Sequence, residues 1–199
     1  MIAVIRRALA AVLSGVAASF GLLHAYGLPF DWNCGPSARW WESVRRRLSR
    51  IAGRFDDRAG PRPVTDAEFA GSTDRSLAAF ERRLWRTGFV RNPLSRLKTR
   101  GGRPEAGSWA YRDSPLARRQ LHLMLFARDD GGVDVYAHEE PSSVNPALAA
   151  THFAGRGQSV AAGVERARAR FSLDAGDAAV DPVDGPWDAQ PDVDGVPRR

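Results

Sequence analysis

The chain has 199 residues, a formal net charge of +6 and one cysteine, which allows one ordinary folded unit with extensions and excludes two large cores. With Cys34 alone, an intramolecular disulfide and a cysteine-based metal cage are excluded. The basic side chains are almost all arginine, Lys98 being the only lysine, and they are unevenly spread: residues 35–119 hold 20 basic and 9 acidic side chains, residues 120–199 hold 7 and 13.

From Ala8 to Leu23 the chain carries no charge, and it stays weakly apolar to Phe30, 23 residues in all. That length crosses a hydrocarbon core of about 30 Å as a helix, so residues 1–30 are expected to form a membrane anchor. Two readings compete: a cleaved export signal, with Arg6 and Arg7 in front and small residues at Ala25–Gly27, and a buried soluble helix. Arg39, Arg45, Arg46, Arg47, Arg50 and Arg54 follow the segment and outweigh Arg6 and Arg7. The positive-inside bias then keeps the C-terminal side in the cytoplasm, which predicts a single-pass cell-membrane protein with a cytoplasmic domain.

Residues 31–63 read as a basic amphipathic juxtamembrane helix and a linker. Trp41, Val44, Leu48, Ile51 and Phe55 recur at helical spacing with arginines on the other face, and Trp32, Trp40 and Trp41 fall at the height of an aromatic belt. Such a helix lies among lipid headgroups, which makes membrane lipids the first expected partner. Pro61 and Pro63 mark the linker.

Residues 64–172 read as an α+β domain. Thr65 and Glu68 match a capping box for a short helix, with Val64 and Phe69 spaced as a staple. Leu77, Phe80, Leu84 and Trp85 stripe a longer helix that stops at Gly88. Extended segments follow at 89–100, 108–112, 121–127 and 133–139, then helices from Asn145-Pro146 to Phe153 and from Ser159 to Phe171. These elements predict a small, mostly antiparallel four-stranded sheet packed with helices. Residues 173–199, rich in aspartate, proline and glycine, read as a disordered acidic tail in which Trp187 is the one residue suited to a contact.

The hairpin QLHLMLFARDDGGVDVYAHEE carries the chemistry. A three-residue turn at Asp130–Gly132 pairs Asp129 with Val133 and gathers Leu121, Leu123, Leu125, Ala127, Val133, Val135 and Ala137 on one apolar face. His122, Met124, Phe126, Tyr136, His138 and Glu140 then share the other face, with His122 opposite Glu140 and His138 opposite Met124. Two imidazoles and a carboxylate on one face suit a divalent metal, with His152 as a further ligand and Glu139 or Asp134 nearby for catalysis. The commoner arrangement is a half-buried histidine bonded to a glutamate, and on that reading no cofactor is expected. No serine elbow of the hydrolase type is present.

A second pattern places Arg96 and Lys98 on one strand beside Trp109 and Tyr111 on the next. That is the outline of a sheet that stacks single-stranded bases or holds an anionic headgroup; cation-π contacts over core aromatics account for it more simply. The leading functional expectation is a membrane-anchored protein whose α+β domain binds a protein partner or an anionic ligand without catalysis. The alternatives are a metal-dependent enzyme using His122, His138 and Glu140, and a nucleic-acid-binding module.

Overall fold

The computed structural model describes residues 30–54, 60–92 and 95–173. The expected anchor lies, apart from Phe30, outside the described residues, as do Phe55 and, apart from Leu173, the acidic tail with Trp187. Among the described residues no helix is long and apolar enough to cross a membrane. The architecture is α+β, built from helices and two sheets.

In chain order the elements are α1 (Phe30–Cys34), α2 (Pro36–Ala52), β1 (Arg62–Pro63), a 3₁₀ turn (Asp66–Glu68), β2 (Phe69–Thr73), α3 (Leu77–Arg86), β3 (Val90–Arg91), β4 (Lys98–Arg100), β5 (Arg103–Pro104), β6 (Gly107–Tyr111), β7 (Arg119–Ala127), β8 (Val133–Pro141), α4 (Ala149–Phe153) and α5 (Val160–Arg170). The larger sheet is antiparallel throughout, in the order β2-β8-β7-β6-β3; the smaller has the order β1-β4-β5, with β1 and β4 parallel. The single four-stranded sheet expected from the sequence is therefore two sheets. The segment at 89–100 is split between them, and the helix expected after Thr65 is one 3₁₀ turn that runs straight into β2. The capping box forms around this turn, but the chain from Phe69 onward pairs with β8, and that pairing ends the helix after one turn.

The larger sheet has its main core on one face. Leu121, Leu123, Leu125, Val133, Val135 and Ala137 point there, with Trp109 from β6, Phe80 and Leu84 from α3, and Ala167 and Phe171 at the end of α5. α3 starts at Ser76, whose hydroxyl accepts from the Ala79 amide at 3.4 Å, a side-chain N-cap. α5 lies so close to β8 that a Cβ at Gly163 would stand 2.2 Å from His138 Cα.

The hairpin register differs from the expected one by two residues. His122 pairs with His138, Gln120 with Glu140, Met124 with Tyr136 and Ala127 with Val133. The Arg128 amide donates to the Gly132 carbonyl at 2.8 Å, so the tight turn is Asp129–Gly131, with Gly131 at φ 93°. A shift of two preserves the alternation of faces, so each side chain keeps its expected face while changing its partner.

The second face of the sheet is also covered. Met124, Phe126 and Tyr136 form a smaller apolar cluster with Val64 and Phe69, and Arg100 of β4 stacks on Tyr136 at 5.3 Å. α1 and α2 are fixed on the same body: Arg45 of α2 bonds Ser95 and Glu105 at 2.9 Å, and Arg91 donates to the Asn33 carbonyl of α1 at 2.7 Å.

Candidate functional site

On the covered face the hairpin brings His122, His138 and Glu140 together, at 2%, 0% and 3% exposure. His122 Nδ1 lies 3.2 Å from His138 Nε2, His138 Nε2 lies 3.3 Å from Glu140 Oε2, and His122 Nδ1 lies 3.4 Å from Glu140 Oε1. The two rings are perpendicular, with centroids 4.9 Å apart. These three groups are the set that the sequence singled out, and together they could hold a metal ion.

Each of the three is held by a further partner. His138 Nδ1 faces Glu68 Oε1 at 2.9 Å, and the other oxygen of Glu68 accepts from the Thr65 amide at 2.8 Å. His122 Nε2 faces Ser108 Oγ at 2.7 Å; Ser108 in turn meets Ser95 Oγ at 2.7 Å, which receives Arg45 at 2.9 Å. Glu140 accepts from Gln120 Nε2 at 2.8 Å and from Gln158 Nε2 at 3.4 Å. Gln158 is brought in by the bridge between Ser159 and Glu139. His152 Nδ1 stands 3.4 Å from Glu140 Oε2, but it also faces the Pro141 carbonyl at 3.1 Å. A nitrogen donating there is not free to ligate, so His152 borders the cluster.

Charge follows this geometry. Burial holds His122 well below the ordinary imidazole range, reinforced by His138 and Lys98 and opposed by Glu140. Burial alone would also lower His138, yet its bonds to Glu140 and Glu68 leave it raised. Burial would raise Glu140, but His152, His122 and His138 bring it well below the carboxylate range. Glu68, raised by burial alone, is brought down to about 2 by His138 and the Thr65 amide. Lys98 is lowered by burial against the opposing pull of Glu68, Glu105 and Glu140.

The basic and aromatic strands do not form the expected patch. Lys98 is buried in β4 and pairs with Arg62, whereas Trp109 is fully buried in β6 of the other sheet and pairs with Leu123 and Arg91. Arg91 lies over Trp109 at 4.9 Å, and Arg170 lies over Tyr111 at 3.6 Å. Arg96 donates to the Gly60 carbonyl at 2.6 Å. The cation-π contacts use other arginines, because β4 and β6 belong to different sheets. Glu139 points away from Glu140 and pairs with Arg119 and Arg166. Asp134, at the far end of β8, pairs with Arg100 and Ser72.

Sequence reasoning missed Glu68, Ser108, Gln120 and Gly163 as parts of this site. Glu68 carried a signal, its capping box; the others became legible only once β6, β7 and α5 were adjacent. Comparison with protein-family models, curated proteins and solved structures gives no match for this chain.

Proposed function

We propose that the domain is a binding module that holds one divalent metal ion, of the zinc class, through His122 Nδ1, His138 Nε2 and Glu140. The observation that carries this reading is that His138 Nε2 lies 3.2 Å from His122 Nδ1 and 3.3 Å from Glu140 Oε2, with one ligand atom of each of the three residues within 4.8 Å of the others. A tetrahedral ion with bonds of about 2.0–2.1 Å requires ligand atoms about 3.3–3.4 Å apart. The supporting shell has the form such ions use: the far nitrogen of each histidine is fixed, one by the Glu68 carboxylate and one by the Ser108 hydroxyl. Burial favours holding over turnover, since an open coordination position needs a path for substrate and the three groups are at most 3% exposed.

The competing occupant is a proton. A protonated His138, donating through Nδ1 to Glu68 and through Nε2 to Glu140 and to His122 Nδ1, satisfies the same groups. Metal analysis of the full chain purified without chelator, and again after zinc loading and gel filtration, separates the two. The expected result is one equivalent of metal, lost when His122 and His138 are both replaced by alanine, and visible d–d bands when cobalt replaces zinc. A folded wild type that takes up neither ion assigns the cluster to the proton and ends the reading.

In the same reading residues 1–30 anchor the chain in the cell membrane with the domain on the cytoplasmic side, supported by the arginine excess after Phe30. The partner is then a protein or an anionic group at that membrane. A base-stacking role has less support, because Trp109 is fully buried and Lys98 is 5% exposed.

A further inference from the structure

α2 is packed with its polarity reversed. Its inward side is Ala38, Glu42 and Arg45, all buried, and the two charged residues meet Glu105 and Arg91 there. Three of its large apolar residues turn outward: Trp40 is 62% exposed, Leu48 55% and Ile51 52%, while Trp41 and Val44 are half-buried. A helix that docks on its own domain normally buries the apolar stripe and leaves arginines and glutamates in water. Here a buried ion-pair network holds the helix, and Leu48 and Ile51 stay uncovered among the described residues.

At 100° per residue Trp40, Val44, Leu48 and Ile51 occupy one outward arc, and the exposed Arg39, Arg47 and Arg50 with Ser43 occupy the adjoining one. The only acidic residue of α2, Glu42, is turned inward at 4% exposure. The outward surface is thus apolar beside cationic with no carboxylate of its own, which suits acyl chains beside lipid phosphates. The chain also enters this helix from residues 8–23, which carry no charge.

We infer that α2 is an in-plane docking surface for an anionic phospholipid bilayer, with Trp40, Leu48 and Ile51 immersed and Arg39, Arg47 and Arg50 on the phosphates. This goes beyond the metal reading and does not depend on it. Arg45, expected from the sequence among the lipid-facing arginines, instead fixes α2 to the domain through Glu105 and so sets which way the apolar arc faces. The domain would then lie against the membrane in one orientation, with Leu116 on the loop past the far end of β6 from Glu105.

The test uses the full chain with Cys34 replaced by serine and a single fluorophore-labelled cysteine at position 48 or at the exposed position 116. It is reconstituted into vesicles of phosphatidylcholine and phosphatidylglycerol whose acyl chains carry bromine. The expected result is quenching several-fold stronger at 48 than at 116, falling when Arg39, Arg47 and Arg50 are all changed to glutamate or when phosphatidylglycerol is left out. Equal, weak quenching at both positions overturns the inference. A label at 48 that is shielded from soluble quencher yet unquenched by brominated lipid also overturns it and assigns the face to residues 1–29 or to a second copy, which cross-linking distinguishes.

Discussion

Glu68 and His138 are 70 residues apart in the chain and meet at 2.9 Å, carboxylate oxygen to Nδ1. The same carboxylate caps the turn that opens β2 by accepting from the Thr65 amide, so one side chain fixes a local turn and aims an imidazole. Replacing Glu68 with glutamine keeps the shape and removes the charge. Metal affinity, read by competition with a chelator, is expected to fall about 10–100-fold, the usual effect of losing such an orienting partner. Unchanged affinity would mean that His138 is positioned by the strand alone.

Glu68 also sets an acid response. Its folded pKa of about 2 lies below the ordinary 4.5, so its contribution to stability is complete above the unfolded value and is lost as pH falls towards the folded one. Urea unfolding of metal-stripped wild type and Glu68→Gln is expected to show a gap at about pH 7 that narrows at about pH 3. A gap independent of pH would show that hydrogen bonding to His138, not the carboxylate charge, accounts for the contribution.

The hairpin shows what could be read in advance. Alternation along β7 and β8 sorted leucines and valines from histidines, because burial of one face fixes parity. Partner identity was beyond that signal: a turn at Asp129–Gly131 and one at Asp130–Gly132 give the same faces and differ only in which residues pair. The covering of the second face was hidden as well. β1 and β5 are two residues each and both contain proline, which carries no periodicity and marks a linker as readily as a strand. The amphipathic pattern of α2 was plain in the sequence; that its charged side would face inward depended on Glu105 and Ser95, 60 and 50 residues away from Arg45.

Gly163 has no room for a side chain. A Cβ there would lie 2.2 Å from His138 Cα, 2.3 Å from its carbonyl carbon and 2.4 Å from the Glu139 nitrogen, all backbone atoms that cannot rotate aside. Alanine gains about 1 kcal/mol of helix propensity over glycine, and overpacking costs about 1–3 kcal/mol or more. Gly163→Ala is therefore expected to be destabilising and to weaken metal binding together, since the strand that must move carries His138. Stability measured by urea midpoint and affinity by chelator competition should fall in parallel; a stabilised variant with normal affinity would contradict the close approach of α5 to β8.

Arg45 neutralises a fully buried carboxylate. Burial raises Glu105 and Arg45 opposes it, while burial would lower Arg45, and Glu105 with Glu42 raises it. Removing one partner of such a pair strands the other, at a typical cost of about 3–5 kcal/mol. Arg45→Met is expected to lower unfolding stability, measured by urea titration, by that amount, and the further change Glu105→Gln to recover part of it. A loss below about 1 kcal/mol, with α2 still docked, would show that the network contributes orientation and little stability.

Cys34 reports whether α1 stays docked. Its sulfur donates to the Glu81 carbonyl at 3.6 Å, and burial, with the Glu81 carboxylate adding to it, pushes the thiol up from 9.0 to about 12. Because the thiolate is the reacting form, a shift of that size lowers its population near neutrality about a thousandfold. Alkylation of the folded full chain is expected to be slower than that of the urea-unfolded chain by a factor of that order, and to quicken as pH rises. Alkylation at the unfolded rate would show that α1 leaves α3 readily, and that the end of the chain nearest the proposed bilayer contact moves independently of the domain.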